Sequence, residues 1–234
     1  MRTTILKSLV LFSLVSFSVD GKMLQSDSEE RKVGEYDAVY VAGWFDVTLV
    51  EGKEGTITLE GKQNTIKHIN TEVKNGNLVI EWDKEVNMNL FHSKVRITVP
   101  VESISAVKLS GSGSVKSNKA LRSQSFETTL SGSGTLDLNV ETASIRSAVS
   151  GSGNTVLSGS ANSYEVQVSG SGDVRAYKLE AEDVTASISG SGKIRVHANT
   201  SITARISGSG KVYYMGDAKK IDSKVSGSGS ISKG

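Results

Sequence analysis

The chain has 234 residues, 37% of them hydrophobic, with 24 glycines, one proline and no cysteine. Its formal net charge is +2, and Arg2 and Lys7 account for the whole excess: without them 25 basic residues face 25 acidic ones. That balance argues against a nucleic-acid binder built on a basic surplus, and the missing cysteine excludes disulfides, thiolate metal sites and lipid attachment through an N-terminal thiol.

Arg2 and Lys7 flank the start of an apolar run, Ser8 to Val19, which has the length of a signal-peptide core and is short for a membrane span. Ser16 and Ser18 supply a small-x-small cleavage pattern, so residues 1–18 are read as an export signal, with a retained N-terminal anchor as the alternative. Residues 19–35 are polar and charged around Ser26 to Lys32 and read as a flexible leader. No transmembrane segment is expected in the mature chain.

Strand signals start near Tyr36. Val39, Val41, Phe45, Val47 and Leu49 supply apolar and β-branched positions interrupted by Gly43, and Thr56 to Glu60 alternates. Asn75-Gly76 between two alternating runs predicts a two-residue hairpin, and Val95 to Val99 reads as a strand ended by Pro100. The best helical candidate, Gln63 to Ile69, is one or two turns at most.

From residue 110 onward one tetrad dominates. Ser-Gly-Ser-Gly begins at Ser110, Ser131, Ser150, Ser169, Ser189, Ser207 and Ser226, at intervals of 21, 19, 19, 20, 18 and 19 residues. The residue before each tetrad, its anchor, is always aliphatic: Leu109, Leu130, Val149, Val168, Ile188, Ile206 and Val225. Four residues earlier, in the last six units, stand Phe126, Ile145, Tyr164, Val184, Ile202 and Ile221; six later come Val115, Leu136, Thr155, Val174, Ile194, Val212 and Ile231. Even offsets are the period of a strand with one buried face. A unit of this size is too short for a βαβ crossover or a propeller blade and fits one coil of a β-helix with two or three short strands. Each coil would bury its apolar side only against its neighbours.

Two readings of the glycines stay open. Strict alternation points Gly111 and Gly113, Gly132 and Gly134, Gly151 and Gly153, Gly170 and Gly172, Gly190 and Gly192, Gly208 and Gly210, and Gly227 and Gly229 inward, with the serines outward. Valine at Gly170 or Gly190 would then overlap a confined interior column. Alternatively the tetrad is a tight turn with some glycines at positive φ. Val41-Ala42-Gly43-Trp44-Phe45-Asp46-Val47 resembles a degenerate unit. The folded part is therefore placed at 36–234, with irregular N-terminal coils over 36–100 and regular repeats over 101–234; a separate small β-domain is the alternative for the former.

Chemistry-bearing patterns are sparse. His68, His92 and His197 lack metal-ligand spacing, Glu102, Glu141, Glu180 and Asp183 fall between tetrads where solvated loops are expected, and no motif calls for a metal, a cofactor or a catalytic residue. Aromatic residues that could stack on a sugar are Trp44, Trp82, Tyr164, Tyr177, Tyr213 and Tyr214. Tyr164 shares the aliphatic register and is expected in the core. Tyr213 has the opposite parity from Val212 and Tyr214, so Tyr177 and Tyr213 are the ligand-contact candidates.

The aliphatic-Ser-Gly-Ser-Gly-x-aliphatic unit, following a segment such as Val39 to Leu49, resembles the auto-transporter adhesin head GIN domain family over roughly residues 36–229. The resemblance implies an all-β, right-handed single-stranded β-helix (β-solenoid) with coils of about 19 residues, in a secreted or surface-associated bacterial protein. It supplies no catalytic residues. A self-translocating member would also need a membrane barrel, so the expected product is periplasmic, secreted or surface-associated rather than an anchored passenger. The leading expectation is a noncatalytic envelope or extracellular scaffold or adhesin. The others are a carbohydrate-binding or polysaccharide-processing module and an envelope protein acting through a protein partner. Expected partners are a surface glycan or envelope protein and no nucleic acid, and an uncapped solenoid end would permit homo-oligomers.

Overall fold

The computed structural model describes residues 27–83 and 94–234. Both the export signal and His92 lie outside them. The regular part is a β-solenoid of stacked parallel coils of about 19 residues. Its strands are β8 (Ala106–Gly111), β9 (Ser114–Gly132), β10 (Thr135–Gly151), β11 (Asn154–Gly170), β12 (Asp173–Gly190), β13 (Lys193–Gly208), β14 (Lys211–Met215), β15 (Lys220–Ser226) and β16 (Ser230–Lys233). β9 to β13 each pair in parallel with the coil before and after, while β15 and β16 pair only with the coil before, so the ladder hydrogen bonds run along the long axis. Leu130, Val149, Val168, Ile188 and Ile206 are register partners, as are Leu136, Thr155, Val174 and Ile194. All are buried.

Pairing continues around most of each coil, so the unit holds one ladder of 16 to 19 residues in β9 to β13 rather than two or three short strands. For the same reason Glu141, Glu180 and Asp183 lie within strands, not loops. The ladder breaks at the second serine and glycine of each tetrad.

The two glycines of a tetrad divide the expected roles between them. The first has φ between +112° and +126°, and a Cβ there would come within 2.7 Å of the carbonyl oxygen of the glycine one coil earlier. That oxygen instead accepts hydrogen bonds from the next coil, as in Ser152 N to Gly132 O at 3.0 Å. The second faces inward, and in the last six tetrads a Cβ would meet the preceding anchor side chain at 2.5–2.8 Å. Gly170 and Gly190 therefore permit close backbone approach, so a side chain there would strike backbone rather than the interior, and the inward positions are Gly172 and Gly192. The serines beside them are exposed.

The N-terminal part comprises β1 (Asp27–Gly34), β2 (Ala38–Gly43), β3 (Asp46–Glu51), β4 (Gly55–Gly61), α1 (Gln63–Ile66), β5 (Ile69–Lys74), β6 (Asn77–Trp82) and β7 (Arg96–Val101). Here stacking order departs from chain order. β2 pairs in parallel with both β6 and β8, and β3 with both β7 and β9, so β2 and β3 are sandwiched between β6 and β7 on one side and the regular coils on the other. Val41 stands over Leu109 and Gly43 over Gly111. β4 and β5 then close the far end by antiparallel pairing with β7 and β6. Asn75 and Gly76 form the expected turn with φ of 50° and 76°. β7 runs through Pro100; β4 covers only Arg96 to Thr98, so the missing N–H faces an unpaired side.

One expectation fails at the start. Asp27–Gly34 is a strand, β1, paired antiparallel with β4, and not a flexible leader. Its charges suit a solvated sheet edge. Arg31 anchors it: the guanidinium donates to Ile66 O at 2.9 Å, to Ile69 O and to Thr71 Oγ1 at 3.3 Å, and meets Glu29 at 2.7 Å. The Arg31 guanidinium in turn holds the Glu29 carboxyl below its usual range.

Candidate functional site

A groove of about 630 Å3 crosses five consecutive coils. Ser125, Ser144, Ser163 and Asp183 are register partners along it. Two residues on, Glu127, Arg146, Glu165 and Thr185 form a second column on the same outward side. Between the columns Phe126, Ile145 and Tyr164 turn into the core. Rung spacing in a sheet is about 4.8 Å, so each column offers one hydroxyl or charge per step along the axis.

Ion pairs order the polar wall. Arg146 holds Glu165 at 2.8 Å and Lys108 holds Glu127 at 3.2 Å, while Asp183 accepts from the Ser201 hydroxyl on the next coil. Arg122 and Glu141 make a similar cross-coil pair at 2.8 Å. Beneath the wall, Thr128 Oγ1 donates to Ser147 Oγ at 2.8 Å inside the core. Burial pushes the Tyr164 phenol far above its ordinary value; Ser147 pulls it the other way, but the Tyr164 hydroxyl makes no hydrogen bond of normal geometry. It is a packing group, consistent with its shared register with Ile145. Chemically, the groove offers alternating charges and a line of hydroxyl donors and acceptors to an extended polar chain.

Among the sequence candidates, Trp82 is buried, with Trp44 and Phe45 against it at centroid distances of 4.8 and 4.9 Å, and Trp44 is half-buried. Tyr164 and Tyr214 are also buried. Tyr177 and Tyr213 are half-exposed and meet around one arginine: the Arg195 guanidinium lies 5.7 Å from the Tyr213 ring centroid. Burial raises the Tyr177 phenol, Arg195 lowers it and Tyr213 raises it. His68 and His197 are both half-exposed and far apart in the fold: His68 lies in the turn between α1 and β5, His197 on β13.

The groove itself escaped sequence reasoning. Its signal was present in outward positions, since Ser125, Ser144 and Ser163 each stand five residues before an anchor, but only inward columns attract notice through hydrophobicity.

Residues 35–218 match the family described as "Putative auto-transporter adhesin, head GIN domain". The chain belongs to this family. Solved structures share its fold. A "putative adhesin" of Bacteroides fragilis is 23% identical with a TM-score of 0.80, covering 89% of this chain and 97% of its own. A "putative lipid binding protein" of Parabacteroides distasonis is 23% identical, with a TM-score of 0.71 and coverage of 89% and 96%. A "putative adhesin" of Parabacteroides merdae is 18% identical, with a TM-score of 0.64 and coverage of 90% and 96%. At these identities the likeness establishes the fold. No curated protein matches the chain. Among the described residues, no helix of the head GIN domain is long and apolar enough to cross a membrane.

Proposed function

We propose that this head GIN domain is an exported adhesin that holds an extended glycan along its lateral groove without acting on it chemically. The family is one of adhesin heads, which supports an adhesin-like role at the cell surface. The observation that carries the glycan reading is the uninterrupted hydroxyl column Ser125, Ser144, Ser163 beside the alternating Glu127, Arg146, Glu165. Sugar hydroxyls both donate and accept, and such a wall answers both demands. Glu127 and Glu165 are each committed to a cation, which favours holding a ligand over acid–base work.

A glycan array probed with the full chain tests this. Binding to a subset of neutral or mixed glycans is expected, and Ser144→Trp with Ser163→Trp, which fills the groove, abolishes it. A uniformly negative array, or binding unchanged by the filled groove, overturns the reading.

A protein partner is the second reading, favoured by β15, where Ile221 and Val225 are 50% and 39% exposed. Ile221→Asp with Val225→Asp would then abolish cross-linking to an envelope protein on intact cells while leaving glycan binding unchanged.

A further inference from the structure

The near-zero charge of the folded chain conceals a local surplus. Lys193 and Lys211 are register partners on β13 and β14, and Arg175 and Arg195 are register partners on β12 and β13. The two columns lie two residues apart along each strand, so all four cations share the outward side. One carboxylate stands among them: Asp173 binds Arg175 at 3.0 Å and also binds Arg195. It thereby fixes both guanidiniums without cancelling them. Among the described residues Lys193 and Lys211 have no carboxylate partner, and both are exposed.

The surplus is confined to these coils. Further toward the N-terminus the same two columns hold Ser114, Thr135 and Asn154, and Lys116, Asp137 and Val156. Tyr213 continues the arginine column on the next coil, its ring beside Arg195. Tyr177, on the same side of β12, is the second aromatic face here.

We propose that this face is a second binding site, for an acidic polysaccharide carrying carboxylate or sulfate groups. Lysines stacked on adjacent rungs repel one another, and a linear polyanion lying along the axis replaces that repulsion with attraction. Fixed guanidiniums suit bidentate capture of planar or tetrahedral anionic groups. The tyrosine faces add apolar contact to sugar rings. A membrane surface fits less well, because Tyr177 and Tyr213 are half-buried against the sheet and, among the described residues, no exposed apolar side chain stands in these two columns to insert.

The test is binding of the full chain to immobilised heparin, hyaluronan and neutral dextran, at about 50 and about 200 mM salt. Heparin and hyaluronan are expected to bind at the lower salt and weaken at the higher, and dextran is expected not to bind at this face. Lys193→Glu with Lys211→Glu should weaken heparin binding by about tenfold or more, and Tyr213→Ala by a smaller factor with the far-ultraviolet spectrum unchanged. Lys62→Glu with Lys67→Glu, the same charge change at the other end, should leave it unaltered. The groove pair Ser144→Trp with Ser163→Trp should also leave it unaltered, which separates this site from the groove. The proposal is overturned if the wild-type chain ignores both polyanions. Equal weakening by the Lys62/Lys67 control would overturn it too, as would binding to anionic phospholipid vesicles or single-stranded DNA as tight as to heparin.

Discussion

The regular coils and the N-terminal part build the same parallel ladder by different means. In β9 to β13 each coil lies on its immediate predecessor in the chain, and the tetrad repeats the same two contacts every time: a carbonyl approached by a bare Cα, and an anchor side chain seated against an inward glycine. In β2 to β7 the stacking order departs from chain order, and β6 and β7 are laid outside the earlier β2 and β3. Only Gly43 there takes the tetrad's place, with Trp82 and Phe45 packed against it at distances that leave no room for a Cβ. The regular part thus draws its precision from repetition, the N-terminal part from bulky side chains and an antiparallel cover. That cover matters because an open solenoid end exposes a template for pairing.

The sharpest way to separate these two modes is a pair of glycine substitutions. Both Gly151 and Gly55 have positive φ, yet a Cβ at Gly151 meets Gly132 O at 2.6 Å whereas one at Gly55 meets nothing within 4 Å. Gly151→Val should cost about 3 kcal/mol or more, from strain plus overlap with immovable backbone. Gly55→Val should cost about 1–2 kcal/mol from strain alone. Denaturant unfolding compares them, and equal losses would mean that the close approach between coils contributes nothing.

Next in size is the cover. Arg31→Ala leaves the carbonyls of Ile66 and Ile69 without their cationic donor and should cost about 1–3 kcal/mol. Hydrogen exchange should quicken in β1 and β5 but not in β10 to β12. An opposite sign is expected inside the regular stack, where the Thr155 hydroxyl is fully buried and unpartnered among aliphatic register neighbours. Thr155→Val should stabilise by about 1 kcal/mol, read as a higher unfolding midpoint.

The smallest effect is that of pH. Glu29 has its carboxyl held below the usual 4.5, chiefly by the hydrogen bond from Arg31. Its contribution is therefore complete above the unfolded-state value and is lost as pH falls through the lower folded-state value. Acidification from pH 5 toward about pH 3 should loosen β1 before the regular coils, again visible as local hydrogen exchange. Glu29→Gln should flatten that dependence.

Much of this architecture was legible from residue spacing. The even spacing of Ile145 and Thr155 from the anchor Val149 within one coil placed three inward columns correctly, and Asn75-Gly76 marked its hairpin. A further buried column, Thr128, Ser147, Val166, Ala186 and Ala204, stayed hidden because small and hydroxylated residues carry little hydrophobic signal. β1 was hidden by its charges, since Arg31 acts on carbonyls 35 and 38 residues away in the chain. The groove and the basic face share that difficulty. Ser144 acquires meaning from Ser125 and Ser163, and Lys193 from Lys211, only once the coils are laid on one another.

Periodicity of apolar and glycine positions settled that this chain stacks as a β-solenoid, because burying one face of every coil admits few alternatives. Tertiary structure decided the rest: which glycine bends the backbone and which faces the core, the inverted order of the first coils, and the outward columns that could hold a ligand. Those features depend on which side chains become neighbours across rungs about 4.8 Å apart, a relation that sequence distance does not express.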